Sequence, residues 1–221
     1  IAATVKPDDA HCAISRLLCL ENTVAGHVQS AETINELAGI GHAHGLAVHL
    51  DGARLMNAVV KLGTPAAKLV AGVDTVSLCL SKGLGTPAGS VLVGPADFIR
   101  RAHRIRKLVG GGMRQIGVLA AAGIHALNHH VDRLEDDHEN ALQLAERLAQ
   151  VKAIHVEPDL VETNMVFMTL PDGAADGLRV HLAARGILLG GGAKQIRLVT
   201  HLDITRDDID LLSEEIFQYF A

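Results

Sequence analysis

Short apolar runs recurring between longer amphipathic stretches set the strongest limit on how this chain can fold. Leu17–Glu21, residues 46–50 and residues 75–80 are each nearly unbroken in hydrophobicity. Between the first two, residues 30–44 carry helical spacing, with Ser30 placed as N-cap and Gly45 as the stop. Such alternation predicts βα units. The near-continuous hydrophobicity of the runs predicts parallel strands covered by helices on both faces. Ser90–Val93 adds a further strand, and Gly94-Pro95 opens a basic helix over Ala96–Leu108. The first part of the chain is therefore predicted to be α/β, with a mostly parallel sheet.

A triple glycine at residues 110–112 then breaks the chain. From 113 to 150 the positions Ile116, Leu119, Ala120, Ile124, Leu127, Val131 and Leu134 recur at spacings near three and four, which predicts one long helix. Its second half is charged on one face and reads as surface. Beyond it, strands are predicted at 154–157, 165–170 and Gln195–Val199, with helices at 174–184 and 205–220. These expectations divide the molecule into a large domain, residues 1–150, and a small C-terminal α+β domain, residues 151–221.

Composition narrows the function. Of 221 residues, 48% are hydrophobic and 20% charged, enough for a sizeable core and contrary to disorder. The net charge of −5 and the absence of a dominant basic block argue against a nucleic-acid partner. Aromatic residues at 2%, with no Trp, disfavour base-stacking surfaces. The longest apolar run, 116–124, is too short to span a bilayer as a helix, so no membrane partner is expected. Three cysteines without a C-x-x-C pair disfavour a disulfide framework or a zinc ribbon and fit a reducing, cytoplasmic setting.

Chemistry is concentrated where α/β proteins place it, at the carboxyl ends of strands. His49-Leu50-Asp51-Gly52-Ala53-Arg54 closes the second run. Asp-Gly alone is an ordinary turn dipeptide, but here an acid and an arginine share one strand mouth. Ser81-Lys82-Gly83-Leu84-Gly85-Thr86 closes the third run. A lysine emerging from a buried strand between glycines is expected to be partly desolvated, which favours attack on carbonyls and Schiff-base formation. Arg197, within Gln195–Val199, offers the planar fork that suits a carboxylate. Standing alone it would read as a solvated sheet residue. A carboxylate on one strand end and a lysine on the next match what pyridoxal phosphate requires: an amine for its aldehyde and an acid at its ring nitrogen.

The stretches LENTVAGH, HLDGARLMNA, LCLSKGLGTPAGSVLVG, RKLVGGGMRQIGVLAAAGI and IRLVTHLDIT resemble the low-specificity threonine aldolases, fold-type-I pyridoxal-phosphate enzymes. The resemblance runs in order along essentially the whole chain. It implies a fold-type-I large domain, partial here, followed by the small domain. It also implies retro-aldol cleavage of threonine or allo-threonine to glycine and an aldehyde. By this resemblance Lys82 is the Schiff-base lysine, Asp51 the partner of the ring nitrogen, and Arg54 the neighbour of the phenolic oxygen. Arg197 holds the substrate carboxylate, and His11 lies near the substrate hydroxyl as an acid/base or orienting group, a role weighed equally against that of a polar loop histidine. Lys107 and Arg114, flanking the triple glycine, serve the edge of the active site, toward a neighbouring subunit's phosphate or substrate. The family implies a homo-oligomer, commonly a tetramer, with sites between subunits and a small amino-acid substrate.

The resemblance fails at the start of the chain. Family members carry an N-terminal segment supplying a helix-terminus phosphate cup and a histidine stacked on the ring. No Gly/Ser-rich phosphate loop precedes His11. The chain by itself is therefore expected to hold the cofactor weakly or not at all, since backbone N–H groups at a helix start supply much anion affinity. Two alternatives follow: another fold-type-I reaction, such as racemisation or β-elimination, or a non-catalytic fragment. Of the thirteen histidines, His42/His44 and His125/His129 have ligand-like spacings, but no carboxylate completes a set and no metal is expected.

Overall fold

The computed structural model describes residues 1–221. Contacts divide the chain into two compact units, one formed by Ile1–Val24 and Val28–Val131, the other by Ala25–His27 and Asp132–Ala221.

In the first unit, β1 (Leu17–Glu21), β2 (Ala47–Asp51), β3 (Thr75–Cys79) and β4 (Ser90–Val93) form a sheet in that order. β1, β2 and β3 are parallel, and β4 runs antiparallel to β3. The mostly parallel sheet expected from the sequence is thus present. α1 (Ala31–Ala43) connects β1 to β2. Ser30 caps it by accepting a hydrogen bond from the Thr33 N–H. Between β2 and β3 lie α2 (Leu55–Leu62) and the single-turn α3 (Ala66–Leu69), neither of which the apolar pattern had marked as a helix. The register of β3 is fixed by Asp74. Its N–H donates to the Val48 carbonyl, and its carboxylate accepts from the Val48 N–H at 2.7 Å and from His42 Nε2 at 3.1 Å. These bonds, led by the Val48 amide, hold the Asp74 carboxyl below its ordinary pKa.

Only one face of this sheet is covered. Val48, Leu50, Val76 and Leu78 are buried, whereas Leu17, Cys19, Glu21, Ala47 and Asp51 are exposed. The sequence predicted cover on both faces. α4 (Ala96–Leu108) buries none of its residues, and α5 (Gly117–His129) buries only Gly123 and Ala126.

The predicted long helix is two helices. α5 ends at His129, and α6 (Leu134–Leu148) begins after a short turn. The charged second half is not a surface element either: Leu134, Ala141, Leu144, Ala145 and Leu148 are buried in the core of the second unit. The units accordingly divide between Val131 and Asp132 rather than at residue 150. In the second unit β5 (Met165–Thr169) pairs antiparallel with β6 (Gln195–Val199). Val166, Met168 and Ile196 pack against α6, α7 (Ala174–Ala183) and α8 (Arg206–Phe220) through Leu178, Leu182, Ile209 and Ile216. Each such buried aliphatic side chain contributes roughly 1.5–3 kcal/mol. The strand predicted at 154–157 is a single antiparallel bridge, His155 to Thr169.

Candidate active site

Asp51 is the last residue of β2, and its exposed position follows from the pleat: His49 and Asp51 project from the face opposite Val48 and Leu50. Its carboxylate accepts the Ala53 N–H at 2.9 Å, a tight turn that aims the acid along the carboxyl edge of the sheet. Its carbonyl accepts the Asn22 N–H at 3.0 Å. Asn22, wholly buried, is itself pinned to Gln29 by two side-chain bonds. The next residue, Gly52, donates its N–H to the Ser77 carbonyl at 2.8 Å, and a Cβ at this position would lie 2.8 Å from that same oxygen. Only glycine permits β2 and β3 to meet there. Arg54, half-buried, leads into α2.

Lys82 follows β3 in a loop that closes on itself. The Leu80 N–H donates to the Gly89 carbonyl at 3.0 Å, the Gly85 N–H to the Lys82 carbonyl at 2.8 Å, and the Thr86 N–H to the Leu80 carbonyl at 3.1 Å. Gly85 takes a φ of 70°, a left-handed conformation that suits glycine. Leu84 is buried, and its carbonyl accepts from His130 Nδ1 at 2.7 Å. The expected partial desolvation of Lys82 is not observed. Lys82 is exposed, as Asp51 is. The structure does place the amine and the acid at the ends of two adjacent parallel strands, joined in register through Asp51 and Ser77.

The other candidates are distributed more widely. Lys107 and Arg114 flank a reversal of the chain, where the Val109, Gly110 and Gly111 N–H groups donate back to the last turn of α4. A Cβ at Gly112 would lie 2.4 Å from Lys107 Cδ, so the triple glycine lets the chain fold over that lysine. Both cations are exposed. His11 is also exposed, in the segment before β1. Its backbone N–H and its Nδ1 meet Asp9 Oδ1 at 2.7 and 2.9 Å, and these bonds lower the pKa of Asp9. Arg197 belongs to the second unit. It stands opposite Phe167 in the ladder and opens onto a cleft of about 820 Å³ bounded by residues 186–192, Thr200 and His201. The sequence left its orientation open, and the structure shows the side chain exposed.

Sequence reasoning missed Asn22 and His130. Asn22 lies in a stretch read for its resemblance alone. The bond from His130 spans 46 residues of sequence and leaves no local signal. Nearby, the rings of His125 and His129 lie 4.6 Å apart, and no group of three metal-ligating side chains converges. No helix is long and apolar enough to cross a membrane.

This geometry can be set beside known proteins. The family model for beta-eliminating lyases matches residues 1–171. The chain belongs to the beta-eliminating lyase family. It is 49% identical over 202 residues to low-specificity L-threonine aldolase 1 of Arabidopsis thaliana, covering 88% of this chain and 56% of that protein. It is 46% identical over 209 residues to the low specificity L-threonine aldolase of Escherichia coli K12, covering 95% of this chain and 62% of that protein. The chain thus spans less than two thirds of the length of either relative. Among solved structures, threonine aldolase of Leishmania major superposes with a TM-score of 0.78 at 19% identity, covering 96% of this chain and 64% of that one, which shows a shared fold.

Proposed function

We propose that this chain forms part of a pyridoxal-phosphate-dependent threonine aldolase, which cleaves the Cα–Cβ bond of threonine or allo-threonine to give glycine and an aldehyde. The observation that carries the reading is the placement of Lys82 and Asp51 at the ends of adjacent, in-register parallel strands. The donor set fits the cofactor: an amine for its aldehyde, a carboxylate for its ring nitrogen, and the Arg54 guanidinium for its phenolic oxygen. Bound there, pyridoxal phosphate supplies an electron sink for the charge left on the substrate Cα.

The chain's own residues supply the rest. Asp51 holds a proton on the ring nitrogen. Lys82, once its amine is free, can hold and return a proton near Cα. Arg197 orients the substrate through a forked bond to its carboxylate. His11 can take the β-hydroxyl proton, provided it comes within about 2.6–3.2 Å or one water of that oxygen. Lys107 and Arg114 would serve an anionic group at the edge of a neighbouring subunit's site. The assembly read here is a cytoplasmic homotetramer with sites between subunits. In support, Leu108, Val109 and Val118 on the α4–α5 face are 84%, 75% and 78% exposed, and all three cysteines are unpaired.

The test is product analysis with threonine and allo-threonine. Acetaldehyde and glycine in equal amounts are expected. Formation of ammonia and an oxo-acid, or of the enantiomer alone, would replace the reading with β-elimination or racemisation. The exposure of Lys82 and Asp51 favours a second reading, in which residues 1–221 alone are a non-catalytic fragment that retains the cofactor weakly. Equilibrium dialysis of that span against pyridoxal phosphate tests this second reading, and tight retention would overturn it.

A further inference from the structure

We infer that His130 is a positioning residue for Lys82, acting through the loop that carries the lysine. The inference rests on the reading of Lys82 given above. The hydrogen bonds inside residues 80–89 fix the shape of the loop: Leu80 to Gly89, Gly85 to Lys82, Thr86 to Leu80, and the Thr86 hydroxyl to the Ala88 carbonyl at 3.2 Å. None of them fixes the loop relative to the rest of its unit. The bond from His130 Nδ1 to the Leu84 carbonyl does, and at 2.7 Å it is the polar tie that reaches the loop from a distant part of the chain.

The approach of α5 makes this tie feasible. Gly123, Ala126 and His130 recur at spacings of three and four and so lie on one helical face. Gly123 and Ala126 are buried, and a Cβ at Gly123 would come within 3.1 Å of Leu80 Cδ1. Small residues thus bring the helix close to the start of the loop, and the histidine at its C-cap reaches the middle. A carbonyl can only accept, so Nδ1 carries the hydrogen. The His125 ring lies edge-on to the His130 ring at 5.2 Å. Loss of the bond would leave the buried Leu84 carbonyl without this partner, and the Lys82 turn would be free to shift.

The experiment compares His130→Phe, His130→Asn and the wild type in the full-length protein. Phe keeps a ring without the donor, and Asn places an N–H near the Nδ1 position. Pyridoxal 5′-phosphate is added, reduced onto the protein with borohydride and located by peptide mass spectrometry, and kcat and KM for threonine are measured alongside. The expected result is a fall of roughly ten- to a hundred-fold in labelling rate and kcat for Phe. KM should stay unchanged, and Asn should restore most of the loss. Phe matching the wild type, or Asn falling as far as Phe, overturns the role of His130. Wild-type label on a lysine other than Lys82 overturns the reading of the site, and the proposal with it.

Discussion

Lys82 and Arg197 are expected to leave different deficits when removed. Lys82→Ala takes away the amine that would join the cofactor. Borohydride reduction should then trap no pyridoxal phosphate, and glycine release from threonine should vanish; label at the wild-type level would refute the assignment. In the proposed role, Arg197→Ala would remove a charge-assisted hydrogen bond to the substrate carboxylate, worth about 1.5–3 kcal/mol. KM for the amino acid should rise roughly ten- to a hundred-fold with a smaller change in kcat, and an unchanged KM would count against the carboxylate role. These candidates stood out because Asp51 and Lys82 lie in short motifs at or just past strand ends, His49 to Arg54 and Ser81 to Thr86, and Arg197 in the middle of the short strand Gln195–Val199. Their exposure was not legible, since covering a strand's second face depends on helices far away in sequence. His130 left no trace for the same reason: its partner lies 46 residues upstream.

Among the elements, α6 shows how far charge pattern can mislead. Glu135, Asp136 and Asp137 open it and complement the helix dipole, which reads as surface. Yet the Asp137 side chain is wholly buried, paired with Arg133 at 2.5 Å, and its backbone carbonyl accepts the Thr200 hydroxyl at 2.6 Å. Burial pushes the Asp137 carboxyl above its ordinary pKa, against the pull of Arg133. A raised folded-state value means that its contribution to stability is present below the unfolded-state pKa and lost as pH rises through the folded one. Arg133→Met would leave a buried, unpaired carboxylate, and the expected cost is about 3–5 kcal/mol at pH 7. Denaturation at falling pH should show part of that loss recovered before general acid unfolding; a cost constant from pH 7 to 4 would contradict the account. In α1, Gly39 has open space where a Cβ would go. Gly39→Ala is expected to stabilise the protein by about 0.5–1 kcal/mol, measured by urea denaturation. The strands β1–β6 and the helices α1, α4, α7 and α8 were read within a residue or two, because period and caps are local. The break after His129 was missed because the apolar spacing runs straight through it.

At the scale of the whole molecule, the proposed site residues divide between two compact units: Lys82 and Asp51 lie in one, Arg197 in the other. With Lys82 and Asp51 both exposed, residues 1–221 should retain pyridoxal phosphate poorly, with dialysis removing it. Tight retention by residues 1–221 would overturn this expectation. The contact between Gly52 and the Ser77 oxygen has a consequence for heredity. Any missense codon at position 52 adds a carbon that pushes against a neighbouring strand's backbone. A saturation library sorted for soluble, folded protein should therefore show position 52 blank and position 39 permissive.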